Sequence, residues 1–187
     1  MPAVDADRAW QALAPLRARR PEARWLPVEK LHLTLVFLGP TDAGDVTRLA
    51  ALVDQIAAAH ERYLCATGEG GGRVHDHRDG VCWLRLVEGG RETSQLALDL
   101  DVALGSGTYD ARHPPHPHLT LARGVDQATL DDVKSTSRGL DLRWTADRIV
   151  LFRSYTEPQG SRYEELASFP LGASGGGASR GGGGAEN

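Results

Sequence analysis

Apolar residues follow two rhythms along this chain. Over residues 5–20 they recur at helical spacing, with Trp10, Leu13 and Leu16 on one side, which predicts a first helix. Residues 31–38 are apolar, partly β-branched and closed by Gly39-Pro40, the pattern of a strand running into a turn. Thr41 or Asp42 then stands where it could cap a helix that keeps Val46, Leu49, Val53 and Ile56 on one face. Two more strands are expected over 63–67 and 81–87, joined by "GEGGGRVHDHRDG", whose glycines and charges read as a surface connection. Residues 94–104 carry Leu96, Leu100 and Leu104 in helical register, 118–122 read as a strand, and a short helix is expected to begin near Asp126 or Thr129. Strands over 143–154 and 163–169 flank the turn "TEPQG".

A unit of strand, turn and capped helix thus occurs twice. The simplest architecture is α+β and bilobal, with two lobes related by an approximate two-fold axis. Residues 1–171 are expected to form one such domain. Residues 172–187 hold 8 of the 22 glycines and nothing that could pack, so they read as a disordered tail.

The duplication extends to identical text. His32-Leu-Thr-Leu and His118-Leu-Thr-Leu use two of the seven histidines in the same setting. On a strand, residues two apart share a face, so His32 goes with Thr34 and His118 with Thr120, while the leucines between and after them take the opposite, core-facing side. One His-x-Thr on a half-buried strand is ordinarily a solvated face. Two copies, each followed within a few residues by glycine and a helix start, are expected where both units shape one site.

Histidine is the side chain whose ordinary pKa, about 6.5, lets one copy be neutral while another is charged near pH 7. A matched pair can supply a base and an acid together. The threonine hydroxyls can donate to the non-bridging oxygens of a phosphoryl group. Arg123, which strict alternation puts on the other face but which lies at the strand end where alternation relaxes, is a candidate for a bidentate phosphate contact.

Composition narrows the partners. Hydrophobic residues make up 41% and charged residues 25% of the chain, with no apolar stretch near the ~20 residues of a membrane helix and no export signal at the start, so a cytoplasmic location is expected. The net charge of −4 gives no overall attraction to nucleic acid, and any phosphate contact must come from a local cluster. Cys65 and Cys82 sit in apolar runs and are expected to be thiols. There is no GxxxxGK[ST], CxxC or HExxH pattern. His113, His116 and His118 are close in sequence but interrupted by Pro114, Pro115 and Pro117, and His75-Asp76-His77 lies in the glycine-rich stretch. Neither run offers a fixed tetrahedral set, so no metal and no cofactor is expected.

Taken together, "KLHLTLVFLG" over 30–39, "PHLTLAR" over 117–123 and "IVLFRSYTEPQGSRYEELASFPL" over 149–171 resemble the two-histidine (2H) phosphoesterases, and within them the bacterial RNA 2′,3′-cyclic phosphodiesterases, the LigT-like or 2′-5′ RNA ligase-like branch. The resemblance covers residues 5–171. It implies antiparallel sheets facing a central cleft with helices outside, and hydrolysis of 2′,3′-cyclic phosphate on RNA ends or nucleotides to a 2′-phosphate, with reverse 2′-5′ ligation open to the same site. It assigns His32 as proton donor, His118 as proton acceptor and Thr34 and Thr120 as phosphate holders. A monomer with no membrane partner is expected. The alternative on the same fold is a non-catalytic nucleotide- or phosphate-binding module. Members of this branch open with a short apolar strand, for which only residues 1–4 stand here, so that strand is expected to be missing.

Overall fold

The computed structural model describes residues 3–74, 80–137, 140, 142–157 and 160–172. Pro15 shapes its first element. In place of one helix over 5–20 there are two, α1 (Ala3–Ala12) and α2 (Ala14–Arg19), because proline has no N–H for the carbonyl four residues back and its ring crowds that carbonyl. Leu13 and Leu16 remain buried, while Trp10 is half-buried with the Arg17 guanidinium 3.5 Å from its ring centre.

After β1 (Arg24–Trp25) and a 3₁₀ turn at Val28–Lys30 comes the first motif segment, then a 3₁₀ turn at Ala43–Asp45 and α3 (Val46–Ala59). The chain continues through β2 (Tyr63–Arg73), β3 (Gly80–Glu88), α4 (Gly90–Leu104), β4 (His118–Val125), α5 (Gln127–Ser137), β5 (Arg143–Ala146), β6 (Arg148–Glu157) and β7 (Gly160–Pro170). Five strands form one antiparallel sheet in the order β1-β4-β3-β2-β5, and β6 and β7 form a separate antiparallel hairpin. Each sheet has its own core. Leu13 between α1 and α2, Leu16 of α2 and Leu130 of α5 pack with Leu84, Leu119 and Leu121 of the large sheet, and α3 and α4 pack on Ile149 and Phe169 of the hairpin. This is the expected α+β, two-lobed arrangement of antiparallel sheets and helices.

Several elements depart from the expected boundaries, each for a local reason. Residues 31–38 form no strand, only a single antiparallel bridge between Leu33 and Leu119. Alternation reports which side chains are buried, whereas a ladder also needs a neighbouring backbone. Neither Thr41 nor Asp42 caps α3: the intervening 3₁₀ turn makes Asp45 its N-cap residue, and the Asp45 carboxylate is taken by Arg48. Asp126 does cap α5, accepting from the Thr129 N–H at 2.8 Å and the Thr129 hydroxyl at 2.7 Å. Helix α4 starts at Gly90 rather than 94, with the Thr93 and Ser94 hydroxyls donating to the Gly89 and Gly90 carbonyls. Residues 143–154 are broken at Asp147, which sends β5 and β6 into different sheets.

The glycine run after Thr67 is strand rather than surface connection. Gly70 and Gly71 face opposite sides of β2, and a Cβ on Gly70 would come within 2.8 Å of Val133 on α5. A Cβ on Gly71 would come within 2.6 Å of the Trp83 indole nitrogen. The missing side chains therefore let α5 lie close on one face and a tryptophan on the other. His75, Asp76, His77, the turn at Pro158-Gln159 and residues 173–187 lie outside the described residues. Cys65 and Cys82 are buried thiols, pushed by burial up to about 11 and about 12. Among the described residues no helix is long and apolar enough to cross a membrane.

Candidate active site

Leu119 and Leu121 are almost completely buried, so the residues alternating with them, His118 and Thr120, face away from the large core. Strand pairing then selects their neighbours, because directly opposed residues share a face. Arg85 lies opposite His118 and Trp83 opposite Thr120, while Cys82 and Leu84, which alternate with them, are fully buried. The His118 and Trp83 rings are 5.3 Å apart, inclined at 49°.

The position of Arg123 is decided by a bulge. Cys82 pairs with Ala122 and Trp83 with Thr120, so β4 carries one extra residue at this point, and Leu121 and Ala122 are both buried in succession. That extra residue returns Arg123 to the face of His118 and Thr120, where it is exposed.

In the first motif, Leu31 and Leu33 enter the core of the large sheet, which turns His32 toward the hairpin. Its ring meets Tyr163 edge-on at 5.2 Å and Phe152 at 6.3 Å, and these two rings are 5.8 Å apart. The Thr34 hydroxyl is 3.3 Å from His32 Nε2.

Both histidines are held in the same way. His32 Nδ1 is 2.7 Å from the Lys30 carbonyl and His118 Nδ1 is 2.8 Å from the His116 carbonyl, in each case two residues back. A carbonyl oxygen only accepts, so each Nδ1 must carry the proton and donate it, leaving Nε2 as the position that gains or loses a proton. Burial holds the His32 imidazole below its ordinary pKa; the Lys30 carbonyl opposes this, and the charges of Arg123 and His118 add to it. His118 and Arg123 of β4 thus both act electrostatically on His32, which comes from a distant part of the chain.

Two further histidines are paired elsewhere. His113 pairs with Asp110 at 3.0 Å on the surface, and His60 with Asp99 at 2.9 Å where α3 meets α4. Among the described residues no group of three His, Cys, Asp or Glu side chains could hold a metal ion. The duplicated tetrapeptide thus leads to both imidazoles and both threonines, but not to Trp83, Arg85, Phe152 and Tyr163. In "VCWLRLV" the alternation does mark Trp83 and Arg85 as a shared face, yet only the register of β3 against β4 brings that face to His118.

The chain is similar to known proteins over most of its length. The family model of the 2′-5′ RNA ligase superfamily matches residues 5–157. The RNA 2′,3′-cyclic phosphodiesterase of Escherichia coli (strain K12) is 29% identical over 164 residues, which span 87% of this chain and 86% of that protein. The enzyme of the same name from Thermus thermophilus is 33% identical over 162 residues, 81% of this chain and 78% of that one. Among solved structures, E. coli LigT in its apo form superimposes with a TM-score of 0.71 at 27% identity, covering 91% of this chain and 92% of that one. E. coli LigT in complex with 3′-AMP gives a TM-score of 0.70 at 26% identity, covering 91% and 93%. By a match over most of its length that takes in both histidine motifs, this chain belongs to the 2′-5′ RNA ligase superfamily.

Proposed function

We propose that the chain is an RNA 2′,3′-cyclic phosphodiesterase that opens a terminal 2′,3′-cyclic phosphate to a 2′-phosphomonoester. The observation that carries this reading is the pair of imidazoles, each tied through Nδ1 to a backbone carbonyl and each leaving Nε2 available for proton transfer. The names of the curated relatives and the nucleotide complex of LigT point to the same substrate class.

In the proposed reaction His118 Nε2 takes a proton from water as the water oxygen attacks phosphorus. The bond from phosphorus to O3′ breaks, and His32 Nε2–H gives its proton to the departing 3′ oxygen, leaving a 3′-hydroxyl and a 2′-phosphate. Thr34, Thr120 and Arg123 donate to the non-bridging oxygens, whose charge grows in the transition state. Both proton transfers are between imidazole and oxygen and need no metal ion. Incubation with nucleoside 2′,3′-cyclic phosphates in EDTA is expected to yield the 2′-monophosphate, resolved from the 3′-isomer by phosphorus NMR. Binding without turnover would instead support a phosphate-binding module, and a 3′-monophosphate product would reverse the proposed leaving group.

The surroundings of His32 make a pH prediction. An acid must be protonated and a base deprotonated to act, so the pKa of each group sets one break of the kcat/KM profile. Burial is the largest cause holding His32 low. Phe152→Ala, which lets water reach the ring, is therefore expected to raise the His32 pKa and carry the break it sets to higher pH. NMR titration of the imidazole reads the same shift without substrate. A profile in which neither break moves to higher pH would exclude His32 as the acid.

A further inference from the structure

Opposed residues on paired strands share a face, and one line of such pairs crosses four strands of the large sheet. Arg24 on β1 is opposite Arg123 on β4, Arg123 is opposite Val81 on β3, and Val81 is opposite Arg73 on β2. Three of the four positions are arginine, and all three arginines are exposed. With strands ~4.8 Å apart, the row is about 14 Å long. It crosses β4 three residues beyond Thr120, about 10 Å from it at ~3.3 Å per residue. The bulge at Leu121 and Ala122 is what puts the row on the side of the sheet that carries both His118 and Thr120.

The charges in this row are unbalanced. Arg20, Arg48, Arg143, Arg148 and Arg162 each have a carboxylate partner. Among the described residues Arg24, Arg73 and Arg123 have none. Like charges directly opposite each other on a sheet are destabilising, and Arg24 and Arg123 are such a pair. In a chain of net charge −4, three unpaired cations in line on one face match an extended polyanion better than a single phosphate. Planar guanidinium groups suit phosphate oxygens in particular, and backbone phosphates are the groups that position a nucleic acid without reading its sequence.

We propose that Arg24 and Arg73, on either side of Arg123, form a subsite for internucleotide phosphates of an RNA strand whose cyclic phosphate end lies between the two histidines. The substrate class is then an oligoribonucleotide in preference to a mononucleotide, with little dependence on base sequence. This rests on the phosphodiesterase reading given above.

The test compares kcat/KM for adenosine 2′,3′-cyclic phosphate with that for a short oligoadenylate ending in the same group, across a potassium chloride series. The wild-type chain is expected to prefer the oligonucleotide at low salt and to lose the preference as salt rises, since each phosphate contact contributes about 0.7 to the slope of log affinity against log salt for a single strand. Arg24→Gln and Arg73→Gln are each expected to reduce the ratio of the two kcat/KM values by up to about ten-fold, the worth of one charge-assisted hydrogen bond, and to flatten the salt slope. Arg24→Lys, which keeps the charge, is expected to retain most of the ratio. A wild-type ratio near one at low salt, or a double Arg24→Gln, Arg73→Gln variant with the wild-type ratio, would overturn the proposal while leaving the phosphodiesterase reading in place. Absence of turnover on both substrates would remove that reading instead. Fluorescence anisotropy with the same labelled oligoadenylate then tests the row alone: tighter binding by wild type than by the double variant supports it, and equal binding overturns it.

Discussion

Replacing His118 with alanine is expected to lower kcat/KM for a 2′,3′-cyclic phosphate by about 10²- to 10⁴-fold, and His32→Ala by a similar factor, the usual worth of a well-placed general acid or base. The two losses should not multiply. Groups that act as a unit show strongly non-additive effects, so the double variant is expected to be about as inactive as the worse single one. The shape of the pH profile separates the roles more sharply than the size of the loss. Wild type should give a bell, rising on the acidic side as the base loses its proton and falling on the alkaline side as the acid does. His118→Ala is expected to abolish the acidic limb and keep the alkaline one, and His32→Ala the reverse. Residual activity with an unchanged bell in either variant would mean that other groups move the protons. Neither imidazole is fully buried, and each is bonded to the backbone of its own segment, so folding should survive both changes. A urea titration of each variant checks that assumption directly.

The largest effect on stability is expected at Leu119. This side chain has no exposed surface, lies between His118 and Thr120 in the chain, and its backbone makes the bridge to Leu33. Leu119→Ala removes buried methyl groups and leaves a cavity that the surrounding leucines fill only in part, which costs about 2–5 kcal/mol. The urea midpoint should fall with the slope unchanged, since the surface exposed on unfolding is nearly the same. Activity measured well below the unfolding transition should fall too. The first motif has no ladder of its own, and the bridge at Leu119 is its hydrogen-bonded link to the sheet that carries the second. A variant with a lowered midpoint but full kcat/KM would show that the two motifs do not depend on this link for their alignment.

These two residues also mark how far the chain can be read without its structure. The interval between His118 and Thr120, with leucines between and after, is a local statement about one strand, and it holds on β4 as written. The same text at His32 is equally regular, yet no strand forms there, because a ladder requires a neighbour that alternation cannot supply. Pro15 could have been taken as the end of the first helix on the strength of its missing N–H alone. The run from Gly68 to Gly72 could not, since only the approach of α5 and Trp83 shows that its glycines make room inside a sheet rather than a loop outside it. Arg123 illustrates the same limit at the site. Counting by twos puts it on the core side, and one inserted residue in the pairing with β3 brings it back.

From its residue order the chain determines that His32 with Thr34, and His118 with Thr120, leave the core together, because the direction of side chains along an extended backbone is a property of neighbours in sequence. The tertiary structure alone decides what meets them there: Tyr163 and Phe152 against one ring, Trp83 against the other, and Arg24 opposite Arg123. Those contacts follow from register and from a bulge, which are settled by burial between segments many residues apart.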